Sequence, residues 1–232
     1  MDILLEGLIK AFNLLFSFDE EVYSITFLSI KLSLTATVIS SILGIAAGLY
    51  LSFKDFWGKS FVISSINTGM AFPPVLVGLF VSILLWRNGI LGSLGLLYTP
   101  FAIVIAQVII ATPLVTGISL AAFQNLSGKL PLQLMGLGAS KYQLVFVLLK
   151  ELKLPILAAV MAGFGSVISE VGASMMVGGN IKGYTRVLTT ATVTETSKGN
   201  FDIAIALGVI LLFVTFAINF ILTKLQQSGK NE

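Results

Sequence analysis

Apolar residues along this chain come in long blocks rather than narrow stripes. Five blocks are of membrane-crossing length, at about 22–53, 62–86, 101–123, 154–177 and 203–225. A bilayer core about 30 Å thick needs roughly 20 apolar residues in helix. Each block therefore predicts a transmembrane helix, the first with residues to spare for tilt. Residues 1–20 differ. There Ile3, Leu4, Leu5, Leu8, Ile9, Phe12, Leu15 and Phe16 recur at helical spacing, with Asp2, Glu6, Lys10 and Asn13 mostly opposite. That pattern predicts a helix lying in the membrane interface, and its acidic start argues against a cleaved signal peptide. Residues 21–227 form the expected transmembrane domain, and 228–232 a short cytoplasmic tail.

Composition agrees with lipid as the solvent. Of 232 residues, 56% are hydrophobic and 11% charged, and mean hydropathy is +0.99. A soluble domain carries about 25% charged residues. The expected fold is an all-α integral membrane protein of about five transmembrane helices plus the N-terminal interfacial helix. The chain has no Cys and no His, which excludes thiolate and imidazole metal sites, disulfides and His-based proton transfer. A membrane-embedded enzyme lacks a constellation here, so no catalytic residue, cofactor site or metal site is expected, and no nucleic-acid partner.

Charge placement sets the expected topology. With the N-terminus outside and the C-terminus inside, the inner connections hold Lys54, Lys59, Lys129, Lys141, Lys150, Lys153, Lys224 and Lys230. The outer ones hold Lys10, Arg87, Lys182, Arg186 and Lys198, and Lys31 remains in the first span, where it is expected to snorkel. The acidic run Asp19–Glu21 suits an external start. Two connections, inner 124–153 and outer 178–202, are longer than the 12–15 residues or so of ordinary loops. Function is expected there.

In the inner loop, Pro131 suits a first helical turn, and a short helix can carry Leu132, Gln133 and Leu134 as far as Leu137. Gly138 can end it in a left-handed cap, and after Ala139, Ser140 can start a second helix with Gln143 as its capping-box partner. The unit reads either as a lever docked into a partner or as an amphipathic loop on the membrane face. In the fourth span Ala158, Ala162, Ser166, Glu170 and Ser174 recur every four residues beside Gly163, Gly165 and Gly172. A carboxylate in a span faces the bundle interior or water, so Glu170 either pairs near a gate or meets substrate. Ionised, it would repel an anion, which favours pairing. Pro73 and Pro74 should kink the second span, as a moving gate or a static bend. Gly44 and Gly48 read as helix packing. In the outer loop Lys182 and Arg186 could receive an oxyanion, or the loop could contact a partner protein.

The segment Leu137-Gly138-Ala139-Ser140, with Pro155 downstream, resembles the cytoplasmic coupling motif of ABC importer permeases. It departs from that motif at Leu132-Gln133-Leu134, where the family has Glu-Ala-Ala, and at Glu151, where Pro is common. The stretch from Ser169 through Glu170-Val-Gly-Ala173 to Thr190 resembles tungstate-specific permeases; molybdate and sulfate permeases are similar, often with Glu-Phe-Gly-Ala. The likeness runs from about Val22 to Leu225. It implies a type I (MetI-like) importer permease fold in a prokaryotic cell membrane, and a homodimer importing tungstate by alternating access. It also implies cytoplasmic ATPase subunits that bind ATP and Mg, and an extracytoplasmic substrate-binding protein. No Gly-x-x-x-x-Gly-Lys-Ser/Thr loop is present, so nucleotide would bind to another chain. Molybdate or sulfate import within the family, and an ATP-independent anion channel outside it, are the alternatives.

Overall fold

Asp19 starts the longest helix of the computed structural model, which describes residues 2–17, 19–126 and 129–228. The expected tail from 229 onward, Ser127 and Gly128 of the inner loop, and the side chains of Lys129 and Leu132 lie outside the described residues. The Asp19 carboxylate accepts from the Val22 amide at 3.0 Å, and Glu20 and Glu21 add negative charge to the first turn of α2 (Glu20–Phe53). One face of α2 carries Ser29, Ser33, Ala36, Thr37, Ser40, Gly44 and Gly48, all buried. Its hydroxyls at Ser29, Thr37 and Ser40 donate to carbonyls one turn back, so they enter an apolar bundle already satisfied.

This small-residue face lets α2 lie almost backbone to backbone on α5 (Pro100–Gln124). A Cβ added at Gly44 would sit 2.9 Å from the Val115 side chain, and one at Gly48 would sit 3.0 Å from the Leu120 amide nitrogen. The contact works as packing, as Gly44 and Gly48 predict, but it extends along most of α2.

The second and fourth spans are each broken. Lys59–Met70 forms α3 and Pro74–Leu85 forms α4, with a bend of 104° between them. Adjacent prolines lack two amide donors, so the helix stops before Pro73 rather than merely kinking, and Pro74 opens the new one. Lys153–Ile168 forms α8 and Gly172–Gly178 forms α9, bent by 59°. The four-residue stripe Ala158–Ser174 read from the sequence is therefore not one continuous face: it is cut between Ser166 and Glu170. Among the described residues, three helices are long and apolar enough to cross a membrane alone, namely α2, α5 and α11 (Phe201–Ser228), and counting each bent pair as a span gives up to five.

At the amino end, α1 (Asp2–Phe16) runs antiparallel to the start of α11. Gly7 abuts Ile205, and Lys10 Nζ lies 2.7 Å from Asp202 Oδ2. The helix expected to float in the interface is thus held against the bundle, while Ile3, Leu4, Leu5 and Phe12 stay exposed. Between spans four and five, α10 (Leu188–Ser197) folds back, and its Leu188 and Ala191 pack with Val22, Ile25, Leu207 and Ile210.

The inner loop forms α6 (Lys129–Gly136) and α7 (Lys141–Glu151) around Gly138 at φ +85°. The Gly138 and Ala139 amides donate to the Met135 and Leu134 carbonyls, closing α6. Both bonds of the Ser140–Gln143 capping box are present, at 2.8 and 3.3 Å. Leu148 anchors α7 against Phe123, Ala122 and Leu152.

The α2–α5 contact gives a direct test. Gly48→Leu should destabilise the protein by about 1–3 kcal/mol through overpacking against backbone. Gly208→Ala, with nothing within 4 Å of the added carbon, should leave the detergent melting temperature unchanged.

Candidate functional site

The two breaks meet. A Cβ at Gly172, the first residue of α9, would lie 2.6 Å from Val75 Cγ2 in the first turn of α4, and one at Gly78 would lie 2.6 Å from Ala173 Cα. Glycine at both positions lets α4 and α9 pack at near backbone distance. Pro73, Pro74, Glu170, Gly172 and Ser174, proposed from sequence, are thereby gathered at or beside one junction. Ser166 sits just before the break in α8, its hydroxyl donating to the Gly163 carbonyl at 2.8 Å.

Glu170 is 8% exposed. Its Oε1 accepts from the Ala173 amide at 2.7 Å, so the carboxylate caps the start of α9, and its carbonyl accepts from Thr189 Oγ1 of α10 at 2.9 Å. The pairing expected of Glu170 is with backbone, not with a cation. Ser174 is 1% exposed, and its hydroxyl has no partner among the described residues.

Several residues at the junction escaped the sequence reading. Gln107 of α5 donates from Nε2 to the Val167 carbonyl at 3.2 Å. The Ser29 hydroxyl accepts from the Leu188 amide at 2.8 Å, tying α10 to α2. Gln107, Ser29, Ser33, Glu170 and Thr189 line one small cavity. The signal was available: Gln107 is the single amide inside an otherwise apolar block.

Helix α3 supplies a second surface. It packs on α5 through Gly69 against Pro113 and Met70 against Gly117. At 100° per residue, Ser60, Ser64, Asn67 and Thr68 fall on the far side, and all four are exposed. The hydroxyl of Thr68 back-bonds to the Ser64 carbonyl at 2.8 Å. Polar side chains within a span ordinarily face a water-filled space or another helix.

The outer loop does not present two free cations. Lys182 Nζ lies 2.7 Å and Arg186 Nη1 3.5 Å from the Glu21 carboxylate, at a cleft of about 350 Å³ also lined by Lys10, Asp19 and Glu195. Hydrogen bonds from Asn200, then Lys198, hold the Glu195 carboxyl below its usual range. Glu21 thus engages both of the cations that could receive an oxyanion, its single charge offsetting one of their two.

The coupling candidates lie elsewhere. Along α5, Gln107 and Phe123 are about 24 Å apart, and the α6–α7 hairpin is on the Phe123 end. Leu137 is 85% exposed, and Gln133, Gly138 and Ser140 are also exposed, while Leu134 and Ala139 are half-buried. Met135, Tyr142 and Phe146 extend the same apolar surface.

A bundle of up to five spans among the described residues, two of them broken, with an exposed two-helix hairpin at one end, defines a multi-span membrane protein. The fold is that of the permease in an inward-facing methionine ABC transporter MetNI structure, with a TM-score of 0.72, 16% identity and coverage of 94% of this chain and 98% of that one. Residues 40–228 match the binding-protein-dependent transport system inner membrane component family, and the chain belongs to it. It is 41% identical to the tungstate uptake system permease protein TupB of Peptoclostridium acidaminophilum, over 98% of this chain and 100% of that protein. It is 35% identical to TupB of Campylobacter jejuni, over 98% and 95%, and 29% identical to the molybdenum transport system permease protein ModB of Haemophilus influenzae, over 69% and 75%.

Thr189→Val tests the junction. Removing the donor to the buried Glu170 carbonyl should lower stability by about 1–3 kcal/mol. Thr196→Val, at an exposed site on the same helix, should have no measurable effect in the same thermal assay.

Proposed function

We propose that this chain is the membrane-spanning subunit of an ATP-driven oxyanion importer, and that its oxyanion is tungstate. The observation that carries the substrate is identity of 41% and 35% to two tungstate permeases along essentially the whole chain. Molybdate is the second reading, supported by weaker similarity to molybdenum permeases. Two copies enclose the route in a prokaryotic cytoplasmic membrane, with N-termini outside and C-termini inside. An external binding protein delivers the anion, and cytoplasmic ATPase subunits bind ATP and Mg. The permease itself performs no bond chemistry.

Each copy contributes two working regions. Leu132, Gln133, Leu134, Leu137, Gly138, Ala139 and Ser140 form the lever that the ATPase moves. The fixed caps on both sides of Gly138 support this role, because a rigid hairpin transmits displacement and a floppy loop absorbs it. The junction of Pro73, Pro74, Ser166, Glu170, Gly172 and Ser174 is the gate, with two helix breaks where half-spans can swing. Below it, Ser64, Asn67 and Thr68 line the inner half of the route. These neutral donors suit an anion that must bind and then leave, and the capping bond of Glu170 keeps its carboxylate engaged with α9.

The decisive assay is uptake in proteoliposomes containing permease, ATPase and binding protein. Tungstate accumulation should require ATP and be competed by tungstate more strongly than by molybdate or sulfate. Gly138→Val forces a β-branched residue to φ +85° and should abolish uptake while ATP hydrolysis continues. Accumulation without the ATPase, or full uptake by the Gly138 variant, would sink the reading.

A further inference from the structure

Gln107 is left unexplained by the gate as described. It is 3% exposed, in the first third of α5, among Ile103, Val104, Ala106 and Ala111, all buried and apolar. Its Nε2 is used, but its Oε1 is buried with no partner among the described residues. A half-satisfied amide inside a span is costly, and packing α5 against its neighbours would be served as well by an apolar side chain. Its position gives the reason.

Side chains from other elements reach the α8–α9 break from two directions. Thr189 of α10 holds the Glu170 carbonyl, within the break itself. Gln107 adds a second donor to the Val167 carbonyl in the last turn of α8; that carbonyl also accepts from the Glu170 amide at 3.3 Å. Among the described residues it is the side chain from another helix that hydrogen-bonds this final turn. Beyond the break, α9 is locked to α4 by the Gly172–Val75 and Gly78–Ala173 contacts, and α4 itself begins at the Pro73 break. The α4–α9 pair is therefore one packed body entered through a helix break on each side, and its Val77, Val81, Ala173 and Val177 share a buried core with Ile103 and Ala106 of α5 and Ala36 of α2. The free face of the amide has a matching space: Gln107, Ser29, Ser33, Glu170 and Thr189 line a cavity of about 10 Å³, close to the room one water molecule needs.

We propose that Gln107 is the positioning residue of this break: its amide fixes the end of α8 as the pivot at which the chain turns into α9, and with it the seat of α9 on α4. One water molecule in the cavity, shared with Ser33 and Glu170, completes its Oε1. The pivot stands on geometry alone, and only its consequence for transport rests on the importer reading.

Gln107→Met keeps the length of the side chain and removes both hydrogen-bonding atoms. In the full permease–ATPase complex, hydrogen–deuterium exchange over 169–173 should rise about tenfold, the effect of a lost buried hydrogen bond on local opening. Exchange in the middle of α2 and α11 should stay as in the parent. Tungstate moved per ATP hydrolysed should fall several-fold, with the tungstate KM unchanged. A merely structural amide would instead lower assembled complex, uptake and ATP hydrolysis together and leave that ratio intact. Unchanged exchange over 169–173 overturns the pivot, and raised exchange with an intact ratio overturns its part in transport. Should Gln107→Met fail to assemble, Ser33→Ala replaces it, being a smaller change at the cavity rim. It should raise exchange over the same five residues to a lesser extent, and no change there overturns the shared water. Failure of the parent complex to move tungstate with ATP would remove the importer reading while leaving the exchange result to decide the pivot.

Discussion

A helix cannot stop inside a bilayer without replacing the hydrogen bonds it abandons, and this chain stops two helices there. At the first break the replacement is largely subtraction: Pro73 and Pro74 have no amide hydrogens to satisfy, and the Leu76 amide turns back to the Pro73 carbonyl at 2.9 Å. At the second it is substitution. The Glu170 carboxylate takes the Ala173 amide, Thr189 takes the Glu170 carbonyl, and Gln107 takes the Val167 carbonyl. These bonds come from α5, α10 and the break itself, where the Glu170 amide also reaches the Val167 carbonyl at 3.3 Å, so the bend at α8–α9 is tied to the helices assembled around it. Most of the architecture is arranged to make that possible.

Small residues bring the helices close enough. The face of α2 from Ser29 to Gly48 lets α5 approach until Cβ atoms would collide with backbone, which places Gln107 within reach of α8. Gly78 and Gly172 do the same for α4 and α9. In lipid, apolar side chains gain little from leaving one solvent for a similar one, so close contact and polar ties supply association. The lipid-facing surface reflects this, since Phe213, Phe216 and Phe220 of α11 remain exposed.

What the sequence made legible followed the strength of the local signal. The five apolar blocks stood out because span length is set by the bilayer, and the described residues form three long spans, or up to five with each bent pair counted as one. The Ser140–Gln143 capping box and the left-handed Gly138 were readable because each depends on residues within a few positions of itself. The break at Glu170 was not, since nothing local separates a carboxylate along a continuous helix from one that ends it. What decides is the pair of remote partners, Thr189 and Gln107, nineteen and sixty-three residues away. The pairing of Lys182 and Arg186 was hidden for the same reason: their charge is visible in sequence, but Glu21, which engages both, is supplied by a distant part of the chain.

That pairing bears on how the proposed route handles an anion. A free pair of cations at the outer mouth would hold a doubly charged oxyanion tightly and slow its departure, and conduction needs each stop to be weak enough to leave. Here Glu21 occupies the outer cations, and the inner half of the route offers Ser64, Asn67 and Thr68, dipoles without net charge. In the proposed importer, selection at high affinity then falls to the external binding protein, and the permease keeps to positioning and passage. A membrane subunit built this way has reason to conserve shape at its breaks more strictly than charge along its walls, because a displaced pivot would open the route to other solutes, whereas one altered hydroxyl would change only how briefly the anion rests there.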